Sequence, residues 1–470
     1  MARFSKAVPI LLATLLCTLL CTGLASSLPA SAETYAFKGV HVLDATGAEL
    51  QRDRAVVIRD DRIVRIVASS TLDAKSVDRV IDATGKVMIP GMWNLHVHVQ
   101  EIGEPQLALF VAHGVTGVRD MGGEPALTFG YRDRIEKGEL VGPRIRAAGY
   151  MITTPSIFAA IEQLCTEEQW EAEKKRRLVV STPEEAKTAV RKIHESGGDL
   201  VKLHWNESPA TYAAIASESK KLGLHFSGHD PLGAVTIDQW IEHGQHSIEH
   251  IDGSFAVQLS QRSPEQQAEW IERAAKSELH FVPTLLLVPY LSSLNDARTP
   301  PAKLERVLEH PEAAYAPERL REFWNVFFQM IPPAFPGIEA YRPQIELLER
   351  FHSAGIGIMP GTDLGVPLVF PGWSLADELA LFVELLGMTP NEAVQSATRV
   401  PAEFFGLESD LGTIEPGKIA DLVLLGSNPL DSIENLRDVQ DVVRSGRHFD
   451  RAALDKLLRA ARVTEASESR

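Results

Sequence analysis

From Glu33 to Asp82 apolar and polar residues alternate in short runs: Tyr35-Ala36-Phe37, Val40-His41-Val42, Ala55-Val56-Val57-Ile58 and Ile63-Val64-Arg65-Ile66-Val67, with a polar turn at Asp60-Asp61. A period of two broken by turns predicts a small antiparallel sheet. The far end of the chain is patterned alike, with strand-like runs at Ile419–Leu425 and Val439–Arg444 and a turn at Gly446. Neither piece alone has enough strands for an independent core. The pattern therefore predicts one composite β-sandwich domain built by residues 33–86 and 407–460.

Between residues 87 and 406 the pattern changes. Short buried runs alternate with amphipathic helical stretches such as Thr182 to Ser196 and Pro209 to Leu222. The runs begin at Val87, Val115, Ile145, Leu200, Leu224, Ser247, Phe281 and Ile356, which makes eight units. Eight β/α units predict an α/β fold of the (β/α)8 TIM-barrel kind. The longest insertion, Val288 to Glu339, is rich in proline and aromatic residues and is expected to cap the barrel mouth. The polar tail 461–470 is expected to fray.

Composition narrows the function. The chain has 470 residues, 44% hydrophobic and 23% charged, which suits a large-cored globular protein and excludes a disordered chain. A net charge of −16 speaks against nucleic-acid partners, which need a basic face. Arg3 and Lys6, an apolar stretch from Ala7 to Leu24, and Ala30-Ser31-Ala32 read as a signal peptide over 1–32, implying a periplasmic or secreted protein. The rival reading is an uncleaved membrane anchor; leucines before Cys17 and Cys21 disfavour lipid attachment there. After cleavage no stable membrane insertion is expected and only Cys165 remains, so there is no internal disulfide. The acids beside Cys165 argue against a catalytic thiolate.

The chemistry starts at His96-Val97-His98. On a strand, residues i and i+2 point to the same side, about 6–7 Å apart, so both imidazoles can reach one cation. They sit where the first run ends, at the face where barrel catalysis occurs. Later runs also end in ligand-type residues: Lys202, His229, His250 and Asp363. His246-Ser247-Ile248-Glu249-His250 also spells H-x-x-E-H, a metallopeptidase motif that works only on a helix. β-branched Ile248 and Ile251, between Gly244 and Gly253, favour a short strand instead.

This ordered set resembles the amidohydrolase superfamily, and the resemblance covers essentially all of the mature chain. Supporting segments are Gly114–Asp120, Asn391–Thr398 and, most tellingly, Leu411-Gly412-Thr413-Ile414-Glu415-Pro416-Gly417-Lys418-Ile419-Ala420-Asp421-Leu422-Val423. Within the superfamily the chain looks most like secreted prolidase-like and imidazolonepropionase-related members. The resemblance implies two divalent ions, His96, His98 and Asp363 on one and His229 and His250 on the other, with Lys202 bridging as a carbamate made with carbon dioxide. Zinc is the expected metal, with Mn, Fe or Co also compatible with these ligands. It further implies hydrolysis of an amide or other C–N bond by a hydroxide bridging the metals, with Asp363 as the catalytic proton carrier. The substrate expected is a dipeptide such as Xaa-Pro or an N-acyl amino acid. A mononuclear cyclic amidase or deaminase is the alternative inside the superfamily, and a silent metal-containing binding protein the alternative outside enzymes. A homo-oligomer is compatible with the sequence.

The lysine step has its own physical reason. An ammonium near neutral pH would repel two cations, whereas the carbamate is an anion with two oxygens. If Lys202 is instead a buried or paired lysine, one metal is expected. Three further strand-end residues, Tyr150, His204 and Thr284, are candidates for substrate contact. Arg119 and Asp120 are expected to form a structural ion pair, with a substrate-carboxylate anchor as the alternative. The remaining histidines, among them His113 and His246, are expected to be solvated, and Asn206-Glu207-Ser208 matches a glycosylation acceptor by chance.

Overall fold

The computed structural model describes residues 33–463 except Glu207, Leu232, Ala234 and Asp252. The segment 1–32, read above as an export signal, and the end of the polar tail lie outside the described residues. Among the described residues no helix is long and apolar enough to cross a membrane.

Both ends of the chain enter one eight-stranded sheet. Its order is Arg447–Phe449, Val439–Arg444, Leu422–Leu425, Val87–Pro90, Thr34–Val42, Gln51–Arg59 and Arg62–Ala68, with Arg79–Asp82 also pairing Thr34–Val42. One face buries Phe37, Val40, Val56, Ile58, Met88, Leu422 and Leu424 as a common core. The phenol of Tyr35 donates to the Gly446 carbonyl at 2.6 Å, tying the two ends together. Val87–Pro90, read from the sequence as the first barrel run, belongs to this sheet instead. It pairs parallel with Thr34–Val42 and antiparallel with Leu422–Leu425. A four-residue apolar run reports burial but carries no information about which sheet buries it.

The middle of the chain is an α/β fold with parallel strands. One sheet joins Met92–Val97, Val115–Asp120 and Arg144–Ala147; the other runs Arg177–Val179, Met151–Thr153, Leu200–Leu203, His225–His229, Ser247–Glu249, His280–Val282 and Gly357–Ile358. Backbone hydrogen bonds stitch the two sheets where their edges meet, from Leu95 N to Pro360 O and from Asp363 N to His96 O, both 2.8 Å. The connecting helices start and stop on local signals. Thr182 forms a capping box with Glu185 ahead of Pro183–Glu195, and Pro209–Leu222 ends at Gly223, whose φ of +68° suits a residue without Cβ.

Two insertions interrupt this plan. The expected one carries helices Leu287–Ser292, Pro300–Leu308 and Glu318–Met330, the last burying Leu320, Trp324 and Phe328. The other, unmarked by any strand pattern, places helices Pro155–Glu162 and Glu167–Arg176 between Met151–Thr153 and Arg177–Val179.

Candidate functional site

The C-terminal ends of the parallel strands converge. His96 Nε2 and His98 Nε2 lie 3.5 and 3.4 Å from Asp363 Oδ1. One ligand atom from each of these three residues falls within 4.8 Å of the others, close enough to share one cation. His250 continues the cluster, its ring centroid 4.7 Å from that of His96 and 4.6 Å from that of His229. Lys202, on the strand Leu200–Leu203, is fully shut off from solvent. Its charge acts on His96, His229 and Asp363 alike.

Three of the imidazoles are fixed from behind. His96 Nδ1 meets Glu249 Oε2 at 2.8 Å, His98 Nδ1 donates to the Gly122 carbonyl at 2.8 Å, and His250 Nδ1 meets Thr284 Oγ1 at 2.9 Å. A carboxylate or carbonyl can only accept, so the proton of His96 and His98 sits on Nδ1. In the neutral ring each Nε2 then keeps its lone pair for a ligand. Glu249 is held in turn by Arg119, whose Nη2 lies 2.7 Å from both carboxylate oxygens. The expected ion pair of Arg119 is therefore with Glu249 rather than Asp120, and burial removes Arg119 from any substrate. Asp120 instead accepts from Val99 N and Gly122 N, shaping the turns beside His98.

The backbone is bent where these side chains are aimed. Trp205, His250, Thr284 and Asp363 have φ of +61°, +69°, +48° and +55°. Left-handed backbone is costly for residues with Cβ, most of all for a β-branched one, and such strain gathers at functional sites. Gly361 permits the approach of the Asp363 turn, because a Cβ there would stand 2.8 Å from the Cβ of His96.

Electrostatics follow burial. Burial holds the His96 and His229 imidazoles well below their usual value, and the Lys202 charge adds to this. Burial also opposes the charged forms of His98 and Asp363. Their mutual contact outweighs it, raising His98 and lowering Asp363. Lys202 is pushed down to about 8, chiefly by burial, against the pull of Glu249 and Asp363. The Cys165 thiol is pushed up by burial and then by Glu173, so it is no nucleophile.

The site opens into a cavity of about 470 Å³. His98, His229, His250 and Asp363 line it, as do His204 and Thr284. Tyr150, the third residue expected to contact substrate, does not line it; its ring lies under the Lys192 ammonium at 4.5 Å. Its place just after a buried run gave no warning, because Gly149 with φ of +66° turns the chain there. His246–His250 spans the short strand Ser247–Glu249, so the H-x-x-E-H spelling has no helical geometry. Neither His113 nor His246 is fully solvated: His113 stacks edge-on against Trp373, and His246 stacks on His225. Glu249 escaped notice in the sequence, although Ser247 and Glu249 two apart in an otherwise apolar run place polar groups on one strand face. The insertion Val288–Glu339 does lie over the site, supplying Phe323 and Phe327 to the cavity wall.

The donor set fits divalent cations. Among the described residues His96 Nε2 and Lys202 Nζ are buried with no hydrogen-bond partner. Buried polar atoms are rarely left so; His96 Nε2 stands 3.5 Å from Asp363 Oδ1, and the Lys202 charge acts on His96, His229 and Asp363.

The model of the amidohydrolase family matches residues 87–448. An ochratoxinase from Aspergillus niger is 24% identical over 449 residues, covering 85% of this chain and 83% of that relative. A 5'-deoxyadenosine deaminase from Methanothermobacter thermautotrophicus is 42% identical over only 67 residues, so the chain spans 14% of that relative's length. Among solved structures, a Xaa-Pro dipeptidase with bound methionine in its active site superposes with a TM-score of 0.69 at 22% identity, over 89% of this chain and 100% of that one. With a family match that spans most of its length, the chain belongs to the amidohydrolase family.

Proposed function

We propose that this chain is an exported, metal-dependent hydrolase that cleaves an amide bond in a small molecule, an N-acyl amino acid or a dipeptide such as Xaa-Pro. The observation that carries the reading is the grouping of His96, His98 and Asp363, together with the buried Lys202 Nζ, which has no hydrogen-bond partner among the described residues and whose charge acts on His96 and Asp363. In this reading the two parallel sheets make one (β/α)8 barrel, and the terminal sheet forms the composite sandwich.

His96, His98 and Asp363 would hold one divalent ion, and His229 and His250 a second, zinc being favoured by imidazole-rich ligation, with Mn, Fe or Co as substitutes. Lys202 would carry carbon dioxide as a carbamate, which turns a repelling cation into a bridging anion. Bound ions would supply Lewis acidity and make water ionisable near neutral pH. Asp363, kept ionised by His98, accepts the proton of the attacking water and passes it to the leaving nitrogen. Glu249, Gly122 and Thr284 fix three imidazoles so that little reorganises during turnover. The inserted helices keep bulk water from the reacting bond.

The test is elemental analysis of purified protein together with hydrolysis assays on a panel of N-acyl amino acids and dipeptides. Two ions per chain and amide cleavage that a chelator abolishes are expected. One ion with unmodified Lys202 would support a mononuclear site. Full activity in metal-free protein would overturn the proposal. N-terminal sequencing of exported protein, starting at Glu33, tests the signal.

A further inference from the structure

Arg119, the arginine weighed from the sequence as a carboxylate anchor, is sealed behind Glu249, yet another arginine reaches the cavity. Arg177 opens the short strand Arg177–Val179, directly after the inserted helix Glu167–Arg176. Its side chain is 7% exposed and lines the cavity. Nε donates to Glu173 Oε2 at 2.6 Å, and Nη1 lies 2.9 Å from His204 Nδ1. Among the described residues Nη2 has no partner. Arg176 beside it is spent in structure, pairing with Glu101 through one terminal nitrogen and with Glu173 through the other.

The contact with His204 fixes a second donor. A guanidinium only donates, so His204 Nδ1 accepts and the ring proton resides on Nε2. The His204 ring stands 4.9 Å, centroid to centroid, from that of His229. Arg177 is thus one imidazole away from the proposed metal ligands. A planar cation with a spare N–H, nine-tenths buried beside a second N–H donor, matches a carboxylate in both charge and shape. Much of the remaining wall is apolar: Leu287, Val288, Leu291, Phe323, Phe327 and Ile331.

We infer that Arg177, with His204, forms the subsite for the carboxylate of the substrate, whose apolar group the inserted helices receive. The inference rests on the amide-hydrolase reading above and narrows it to anionic amides with a bulky apolar part. Glu173 acts as a positioning residue, holding Arg177 while Arg176 and Glu101 link it to the turn after His98.

Two probes share one scissile amide, N-benzoyl-L-phenylalanine and N-(2-phenylethyl)benzamide, its counterpart without the carboxylate. Benzoate release by the metal-loaded enzyme should favour the first by roughly 10- to 100-fold in kcat/KM, the range of one or two charged hydrogen bonds. Arg177→Met should collapse that ratio to near unity through KM, and Arg177→Lys should restore part of it. Calorimetric titration of both probes into metal-loaded Asp363→Asn protein, with and without Arg177→Met, reads the same preference without turnover. Turnover with no preference between the probes would overturn the subsite and leave the hydrolase reading standing. Absent turnover with a binding preference lost on Arg177→Met would do the reverse. A preference retained in both Arg177 variants also overturns it.

Discussion

Glu249 Oε2 stands 2.8 Å from His96 Nδ1, with both side chains closed to solvent, and Arg119 clasps the same carboxylate from the other side. One acid therefore serves two neighbours: it orients a proposed metal ligand and neutralises a buried guanidinium. Glu249→Ala should lower metal affinity roughly 10- to 100-fold, as loss of a group behind a ligating imidazole does. It should also cost about 3–5 kcal/mol in stability, because Arg119 is left buried and unpaired. Competition with a metal-sensitive dye and denaturant unfolding measure the two effects. An Arg119→Met partner substitution should recover stability and not affinity.

Asp363→Asn keeps the size of the side chain and removes its capacity to take a proton. We expect kcat to fall by on the order of 10²- to 10⁴-fold on any substrate the wild-type protein turns over. Binding of a substrate analogue should persist. A variant as fast as the wild type would exclude Asp363 as the proton carrier.

Lys202→Met replaces a buried ammonium that has no hydrogen-bond partner among the described residues. In metal-free protein the substitution should stabilise or be neutral, since it removes a desolvated charge. In metal-loaded protein it should cut the stoichiometry from two ions to no more than one. Guanidinium unfolding of both metal-free proteins and elemental analysis decide the matter; unchanged stoichiometry would mean that Lys202 bridges nothing.

His113 gives the protein an acid-sensitive spot away from the site. Burial, aided by Arg451 and Arg437, lowers its imidazole to about 4, against 6.5 for an ordinary histidine. The unfolded chain therefore takes the proton first. The contribution of neutral His113 is whole above about pH 6.5 and is lost as pH falls through 4. His113→Phe, facing Trp373, should lessen the acid slope of unfolding free energy by about 1.4 kcal/mol per pH unit within that window. Denaturant curves at pH 7, 6, 5 and 4 read the slope.

The grouping of His96 and His98 with Asp363 was legible because residues two apart on a strand share a face and Asp363 follows a short apolar run, as do Lys202, His229 and His250, the other proposed ligands. Helix limits were legible for the same local reasons, as with Pro209–Leu222 and its Gly223 stop. Side chains that support the ligands were harder to see. Glu249 touches His96 across 153 positions, a tertiary relationship without any local pattern. Arg177 was hidden in Lys174-Lys175-Arg176-Arg177, a run that reads as the solvated end of a helix until the fold turns its last two members inward. Tyr150 was misplaced because strand-end position alone does not say which way a glycine-preceded residue turns. Val87–Pro90 was assigned to the wrong sheet because a short apolar run reports burial and not the partner strands that bury it.

The pairing of Pro90 with Leu422 has a consequence for how the molecule is made. Val87–Pro90 emerges from the ribosome early, and its neighbour Leu422–Leu425 only when synthesis is nearly over. Until then Val87–Pro90 has an open edge, a surface inviting misassociation. Contacts this distant along the chain close slowly. Maturation should thus end with a late zippering step that joins the first-made strands to the last, and chaperone dependence should concentrate there.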